Sequence, residues 1–290
     1  MKSGVQDKSV YRIVSIIVLF ILAFLFVFPL YWIVTGAFKT TQQINSVTPV
    51  WFPTEWTLDN FVRLFARRTA PIFPMGPVGP AAIRWLFNTV FIAVAAMILT
   101  CITASMAGYA LAKKRFRGRA ILFGLIVCAM ALPKQVILIP LIREISFLGL
   151  YDNIWAVIFP TVGWPFGVFL MKQFSEGIPG EILEAARIDG ANEARTFATI
   201  VVPMVKPGLG ALAIFTFINS WNDYFMQLIM LASTENATIS LGISTLQAET
   251  SVDTGMLMAG AALAAAPIII VFLIFQKYFT QGITMGAVKG

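Results

Sequence analysis

Apolar residues run almost unbroken through six stretches of the chain, 13–37, 85–112, 120–142, 154–174, 208–232 and 256–279, and polar residues collect between them. A helix needs about 20 mostly apolar residues to cross a bilayer, because the hydrocarbon core is ~30 Å thick and the rise is ~1.5 Å per residue. The pattern therefore predicts six transmembrane helices. A transmembrane barrel would instead show short segments of alternating polarity. Between the fourth and fifth stretches the passage "EILEAARIDGANEARTFATIVVPMVKP", residues 181–207, breaks the apolar pattern with one of its own. Pro179 and Gly180 end what precedes it, and Glu181 and Glu184 favour the positive end of a new helix. Asp189 and Gly190 form a stop, since glycine takes the left-handed conformation that closes a helix. Asn192 is positioned to cap a second helix from Glu193 towards Val202, ending near Pro203. The expectation is a compact two-helix hairpin, with Ala185 and Ala186 small enough to admit a close neighbour.

Composition strengthens the membrane reading. With 58% hydrophobic and 12% charged residues and 25 Phe, the chain lies outside the range of soluble domains. The apolar part of the first stretch is too long for a signal peptide and no small-x-small cleavage site follows it, so it is expected to stay attached. Cys101 and Cys128 fall within predicted spans and suggest neither a disulfide nor a metal site. The absence of histidine removes imidazole acid–base chemistry and the Ser-His-Asp arrangement, so no catalytic role is expected.

Charge sets the expected orientation. The short connector "KKRFRGR" holds Lys113, Lys114, Arg115, Arg117 and Arg119, and short basic loops stay in the cytoplasm. Alternation then puts both termini and the 181–207 passage inside as well. The isoelectric point of about 9.6 reflects this topology and needs no nucleic acid to explain it. Outside lie a Pro-, Gly- and aromatic-rich first loop and the polar loop 233–255, which carries no Lys or Arg and whose plain reading is a solvated connector. The chain reads as an N-terminal segment with its first span and outer loop (1–83), a membrane domain (84–280) and a cytoplasmic tail (281–290). Within the fifth stretch, "NSWNDYF" places Asp223 at membrane depth, where an ionisable group is costly enough to be a functional candidate. Were it to face a pathway, Trp221 and Tyr224 would stack on a sugar face while Asn222 and Asp223 accepted hydroxyl hydrogen bonds. Helix packing with its polar neighbours is the alternative. The spans offer it no obvious second titratable partner.

From local chemistry alone, the hairpin fits a docking element and a plain linker equally. Its sequence, however, resembles the EAA loop of permease subunits in binding-protein-dependent ABC importers. Glu184, Ala185, Ala186, Asp189, Gly190, Ala191, Phe197, Ile200, Pro203 and Pro207 occupy that pattern's positions, with Val202 where leucine is usual. "NTVFIAVAAMILT", "FINSWNDYF" and "GITMGAVKG" extend the resemblance to the carbohydrate-importing branch, especially the smaller permease of maltose-type transporters. The resemblance implies an all-α, six-span, type I ABC importer permease fold in a bacterial or archaeal cytoplasmic membrane. It implies a second, distinct permease, two cytoplasmic ATPase subunits that bind ATP and Mg, an extracytoplasmic solute-binding protein and a sugar substrate. No cofactor is expected on this chain, which has no G-x-x-x-x-G-K-[ST] phosphate loop. In the maltose-type branch the main transmembrane sugar site belongs chiefly to the partner permease, the loop equivalent to 233–255 reaches into the binding protein, and the tail enters the ATPase interface. The loop role carries over to Ser233–Gly255, and the tail role to Gly282, Gly286, Lys289 and Gly290. An ion-coupled secondary transporter, with Asp223 as coupling carboxylate, and a non-transporting assembly protein are the competing readings.

Overall fold

The computed structural model describes residues 3–69, 78–248 and 253–287, with side chains described for 10–69, 78–248 and 253–276. Helix α1 (Ser3–Ala37) leads into a loop that carries α2 (Thr41–Ile44), α3 (Asp59–Ala66) and a two-residue antiparallel ribbon, β1 (Arg68–Thr69) with β2 (Gly79–Pro80). There follow α4 (Ala81–Lys113), α5 (Arg119–Met130), α6 (Leu138–Phe147), α7 (Trp155–Val162) and α8 (Pro165–Glu176). A hairpin of α9 (Gly180–Ile188), α10 (Glu193–Thr196) and α11 (Val202–Met204) leads to α12 (Lys206–Asn222), α13 (Tyr224–Met230), α14 (Ile239–Gln247) and α15 (Thr254–Ala287).

Among the described residues four helical lines are long and apolar enough to cross a bilayer: Val10–Ala37, Ala81–Lys113, Trp155–Glu176 and Thr254–Gln276. Two more arise from bent pairs, Arg119–Met130 with Lys134–Phe147 at 100° and Glu193–Met204 with Lys206–Asn222 at 79°. The third span, expected as one helix over 120–142, is a bent pair instead. Pro133 has no N–H to give and biases the residue before it away from helix, and the chain turns there. The fourth span carries a milder interruption at Gly163 and Trp164, ahead of Pro165. The fifth, expected over 208–232, begins at Lys206, breaks at Asp223 and stops at Met230. The last helix continues to Ala287, past its expected end at 279.

Helix α4 is the axis of the bundle, lined by α8, α12 and α7. At Gly108 a Cβ would lie 2.6 Å from the Lys172 N and Met171 C atoms, so the backbones of α4 and α8 touch there, and only glycine fits. Trp85, Ile92, Ile158, Met230 and Ile239 form the main core, and Met171, Ile178, Val201, Val205 and Leu212 a second one near the basic connector. Helix α1 behaves differently. Its apolar side chains from Val10 to Val27 are exposed, and it joins the body through Gly36 and Ala37 against Met258 of α15. Such a surface needs lipid or another apolar helix against it.

Residues 233–248 pack on the bundle, where the plain reading of the loop is a solvated connector. Asn88 Nδ2 donates to Glu235 O and Ala237 O (2.8 and 2.9 Å), Trp85 Nε1 donates to Thr234 O (3.1 Å), and α14 lies on α4 with Gly242 against the Trp85 ring. Buried Thr238 Oγ1 donates to Gln227 Oε1 at 2.6 Å. The base of the loop is held by Asp152, whose Oδ1 accepts from Ala232 N, Ser233 N and Ser233 Oγ at 2.9 to 3.1 Å. Burial alone would raise its carboxyl pKa, but these donors outweigh it and hold the value below the ordinary 3.8. A lowered folded value means stabilisation that is present above the unfolded pKa and lost as pH falls through the folded one. Asp152→Ala is expected to cost about 1 to 2 kcal/mol and to remove that acid-side dependence, while Asp152→Asn, which keeps one acceptor and tolerates the residue's φ of +57°, loses less. Thermal unfolding between pH 3 and 6, about the range of carboxylate titration, reads both.

Candidate functional site

The hairpin is built for rigidity. Helix α9 ends in a paired closure: Ala191 N donates to Ala186 O (2.9 Å), Gly190 N donates to Arg187 O (3.0 Å), and Gly190 takes φ +77°. Asn192 Oδ1 then accepts from Arg195 N at 2.8 Å and opens α10. Both the stop and the cap stand where the sequence puts them. The second limb continues to Met204, through a π turn at Phe197–Val201 in which Val202 N bonds Phe197 O. A π turn is rare and concentrates at functional sites. Here it carries the chain to Pro203, and Phe197 rests against Tyr109 with ring centroids 5.8 Å apart.

The basic connector fastens the hairpin, a role the sequence does not disclose. Lys114 Nζ pairs with Glu193 and lies 5.1 Å from the Tyr109 ring, and Lys113 Nζ donates to Glu176 O and Ile178 O (3.0 and 2.6 Å). Arg187 also reaches Glu193, at 3.5 Å. The hydrogen bond from Lys114, with its charge and that of Arg187, keeps the Glu193 carboxyl below the usual carboxylate range against the opposing effect of burial. Connector and hairpin therefore form one fastened unit at one end of the bundle.

On that unit Ala186 is buried and Leu183 half-buried against the core, while Glu184, Ala185, Asp189 and Gly190 are exposed and Ala191 is half-buried. Phe197 is half-buried and Pro203 exposed. Glu184 has no ion pair among the described residues. Ile188, which the sequence does not single out, is 87% exposed at the tip of α9. An isoleucine that open, ringed by Glu184, Ala185 and Asp189, makes a small apolar knob with an acidic rim. Such a surface suits a cleft with an apolar floor and a basic edge.

The candidates in the fifth span separate. Trp221 is 3% exposed and packs on Phe217 with ring centroids 5.6 Å apart, so it presents no face to a solute. Asn222 is exposed and its Nδ2 bonds Ile218 O within its own helix. Tyr224 OH donates to Ser244 Oγ at 3.2 Å. Asp223 sits at the break between α12 and α13, where Oδ1 accepts from Met226 N (3.3 Å) and Oδ2 pairs with Lys134 Nζ at 3.4 Å. The expectation that Asp223 lacks a titratable partner is therefore corrected. Its partner lies 89 positions away, just past the Pro133 break, and this distance in sequence hides it. Of the tail residues, Gly282 and Gly286 fall within α15, and Lys289 and Gly290 lie outside the described residues.

Residues 104–285 match the family described as binding-protein-dependent transport system inner membrane component. The chain is 35% identical to the arabinooligosaccharides transport system permease protein AraQ of Bacillus subtilis (strain 168), with 97% of each chain covered. It is 33% identical to the maltodextrin transport system permease protein MdxG of the same organism over 96% of each. Among solved structures, a chain from a bacterial ABC transporter involved in the import of the acidic polysaccharide alginate shares the fold at TM-score 0.81 and 23% identity, covering 94% of this chain and 98% of that one.

Proposed function

Because this chain belongs to the family of binding-protein-dependent transport system inner membrane components, we propose that it is one of two permease subunits of an ATP-driven importer of oligosaccharides, and that the α9–α10 hairpin couples it to an ATPase. The observation that carries the coupling role is the combination of a hairpin locked at both ends of its turn with an outward face of Ile188, Ala185 and Glu184 that nothing in the described chain covers. A rigid element transmits a displacement without absorbing it. Motion of a docked ATPase reaches α12 through the bend at Val205 and reaches α4 and α8 through Lys113 and Lys114. Movement of helices about such an interface is the rigid-body class of switching.

In this reading the hairpin and basic connector face the cytoplasm, with α14 and the first loop on the opposite side. The ATPase subunits hold ATP and Mg, and this chain hydrolyses nothing. A second, non-identical permease completes the pathway and a solute-binding protein delivers the saccharide. The relatives' names, arabinooligosaccharide and maltodextrin among them, support a saccharide as the solute. Glu184→Lys puts a cation where the proposed interface needs an anion. Binding-protein-stimulated ATP hydrolysis by the purified complex is expected to fall about tenfold, as for a lost charge-assisted pair, with membrane insertion unchanged. Wild-type stimulation in that variant would remove the coupling role from this face.

A further inference from the structure

Three of the spans are interrupted, and the interruptions meet. Lys134 follows the Pro133 break, Trp164 sits between α7 and α8, and Asp223 separates α12 from α13. Counted from the end that carries the basic connector, α5 and α8 are 12 residues long and α12 is 17. At ~1.5 Å per residue the breaks lie about 18 to 25 Å from that end, within the farther half of a hydrocarbon layer ~30 Å thick. They line a cavity of about 310 Å³ together with Met130, Thr161 and Met226. Lys134 Nζ is 5.6 Å from the Trp164 ring centroid and 3.4 Å from Asp223 Oδ2. The pair remains open to solvent on one side, with side-chain exposures of 47% for Lys134 and 18% for Asp223.

We propose that this cavity is a saccharide subsite of the permease itself, with Trp164 as the platform for the apolar face of a sugar ring and the Lys134–Asp223 pair as the donor and acceptor for its hydroxyls. Charged groups inside a bilayer persist where they line a solute path, and discontinuous helices at mid-depth are the usual way a transporter brings polar groups to one. The chemistry fits a polyhydroxylated ring, which offers a C–H face to an aromatic surface and a hydroxyl edge to a mixed donor–acceptor pair. Asp223 Oδ1 is committed to the cap on Met226 N, which leaves Oδ2, shared with Lys134, as the acceptor for a hydroxyl. The pair is neutral as a whole, so the favoured ligand is an uncharged oligosaccharide rather than a uronate. Removing the carboxylate leaves Lys134 as an unopposed cation and reverses that preference.

This inference rests on the permease reading. Its test uses the whole transporter in lipid nanodiscs without the binding protein, with radiolabelled maltodextrin and oligouronate as probes in equilibrium dialysis. Binding-protein-stimulated ATP hydrolysis is measured on the same preparations. Wild type is expected to bind maltodextrin in preference to oligouronate. Trp164→Ala is expected to lose about tenfold in maltodextrin affinity and Trp164→Phe to recover most of it. Asp223→Asn is expected to bind oligouronate in preference to maltodextrin. Stimulated hydrolysis in the wild type with saccharide affinities unchanged in every variant, or with no saccharide bound at all, overturns the subsite and leaves the permease reading standing. Wild type without stimulated hydrolysis overturns that reading, and the subsite with it.

Discussion

Ile188→Asp is expected to strip the ATPase from the purified complex while leaving the chain folded. Ile188 is 87% exposed, so it contributes almost nothing to the stability of its own subunit, and its substitution should change that stability by less than about 0.5 kcal/mol. In the proposed interface the same side chain is buried. Full burial of an isoleucine is worth about 1.5 to 3 kcal/mol, and an aspartate in its place adds the cost of an unpaired charge in an apolar cleft. The affinity for the ATPase should therefore fall at least about tenfold and towards a hundredfold. Gel filtration of the tagged chain after mild solubilisation reads this as missing ATPase, and an unchanged unfolding midpoint separates it from misfolding. ATPase retained at the wild-type ratio would show that the knob is not the contact.

The second large effect lies in the bundle. Gly108→Val pushes a branched side chain onto the main chain of α8, where a Cβ already meets Lys172 N and Met171 C at 2.6 Å. Main-chain atoms cannot rotate away as a side-chain end does, so the helices must part. Overpacking of this kind costs about 3 kcal/mol or more, and the loss propagates because Met171 belongs to the core beneath the hairpin. The expected result is a chain that inserts yet aggregates on extraction. Gly124→Val on α5 is the matching control, since nothing lies within 4 Å of its Cβ position. A Gly108→Val protein that is extracted as a monodisperse complex would contradict the close α4–α8 contact.

What the sequence discloses follows from how locally each feature is encoded. Six apolar runs of spanning length are a strong signal, because no other environment needs them. The hairpin is legible for a similar reason. Gly190 and Asn192 close and open helices through bonds that reach only a few positions along the chain, so residue type and spacing suffice. The broken spans are less visible. Apolar residues continue through Pro133 and up to Asp223, and the run masks the interruption although both residues are helix-breaking or costly there. Least visible are contacts between distant segments: Lys134 with Asp223, Lys114 with Glu193, and Asn88 with the carbonyls of Glu235 and Ala237. These turned an isolated carboxylate into half of a pair, an orientation signal into a fastening, and a solvated loop into a packed helix. Trp221 shows the opposite failure, an aromatic in a suggestive motif that the fold buries.

The Lys134–Asp223 pair also sharpens the contest with ion-coupled transport, since a titratable couple at membrane depth is what such a transporter would use. The decisive measurement is saccharide uptake into proteoliposomes containing this chain, its permease partner and the ATPase, with the binding protein added outside the vesicles and ATP supplied inside. Uptake is expected only when ATP and binding protein are both present, and it should persist when a protonophore collapses the proton gradient. Uptake by this chain without ATPase, driven by an imposed proton gradient and abolished by the protonophore, would contradict the coupling function assigned to the hairpin.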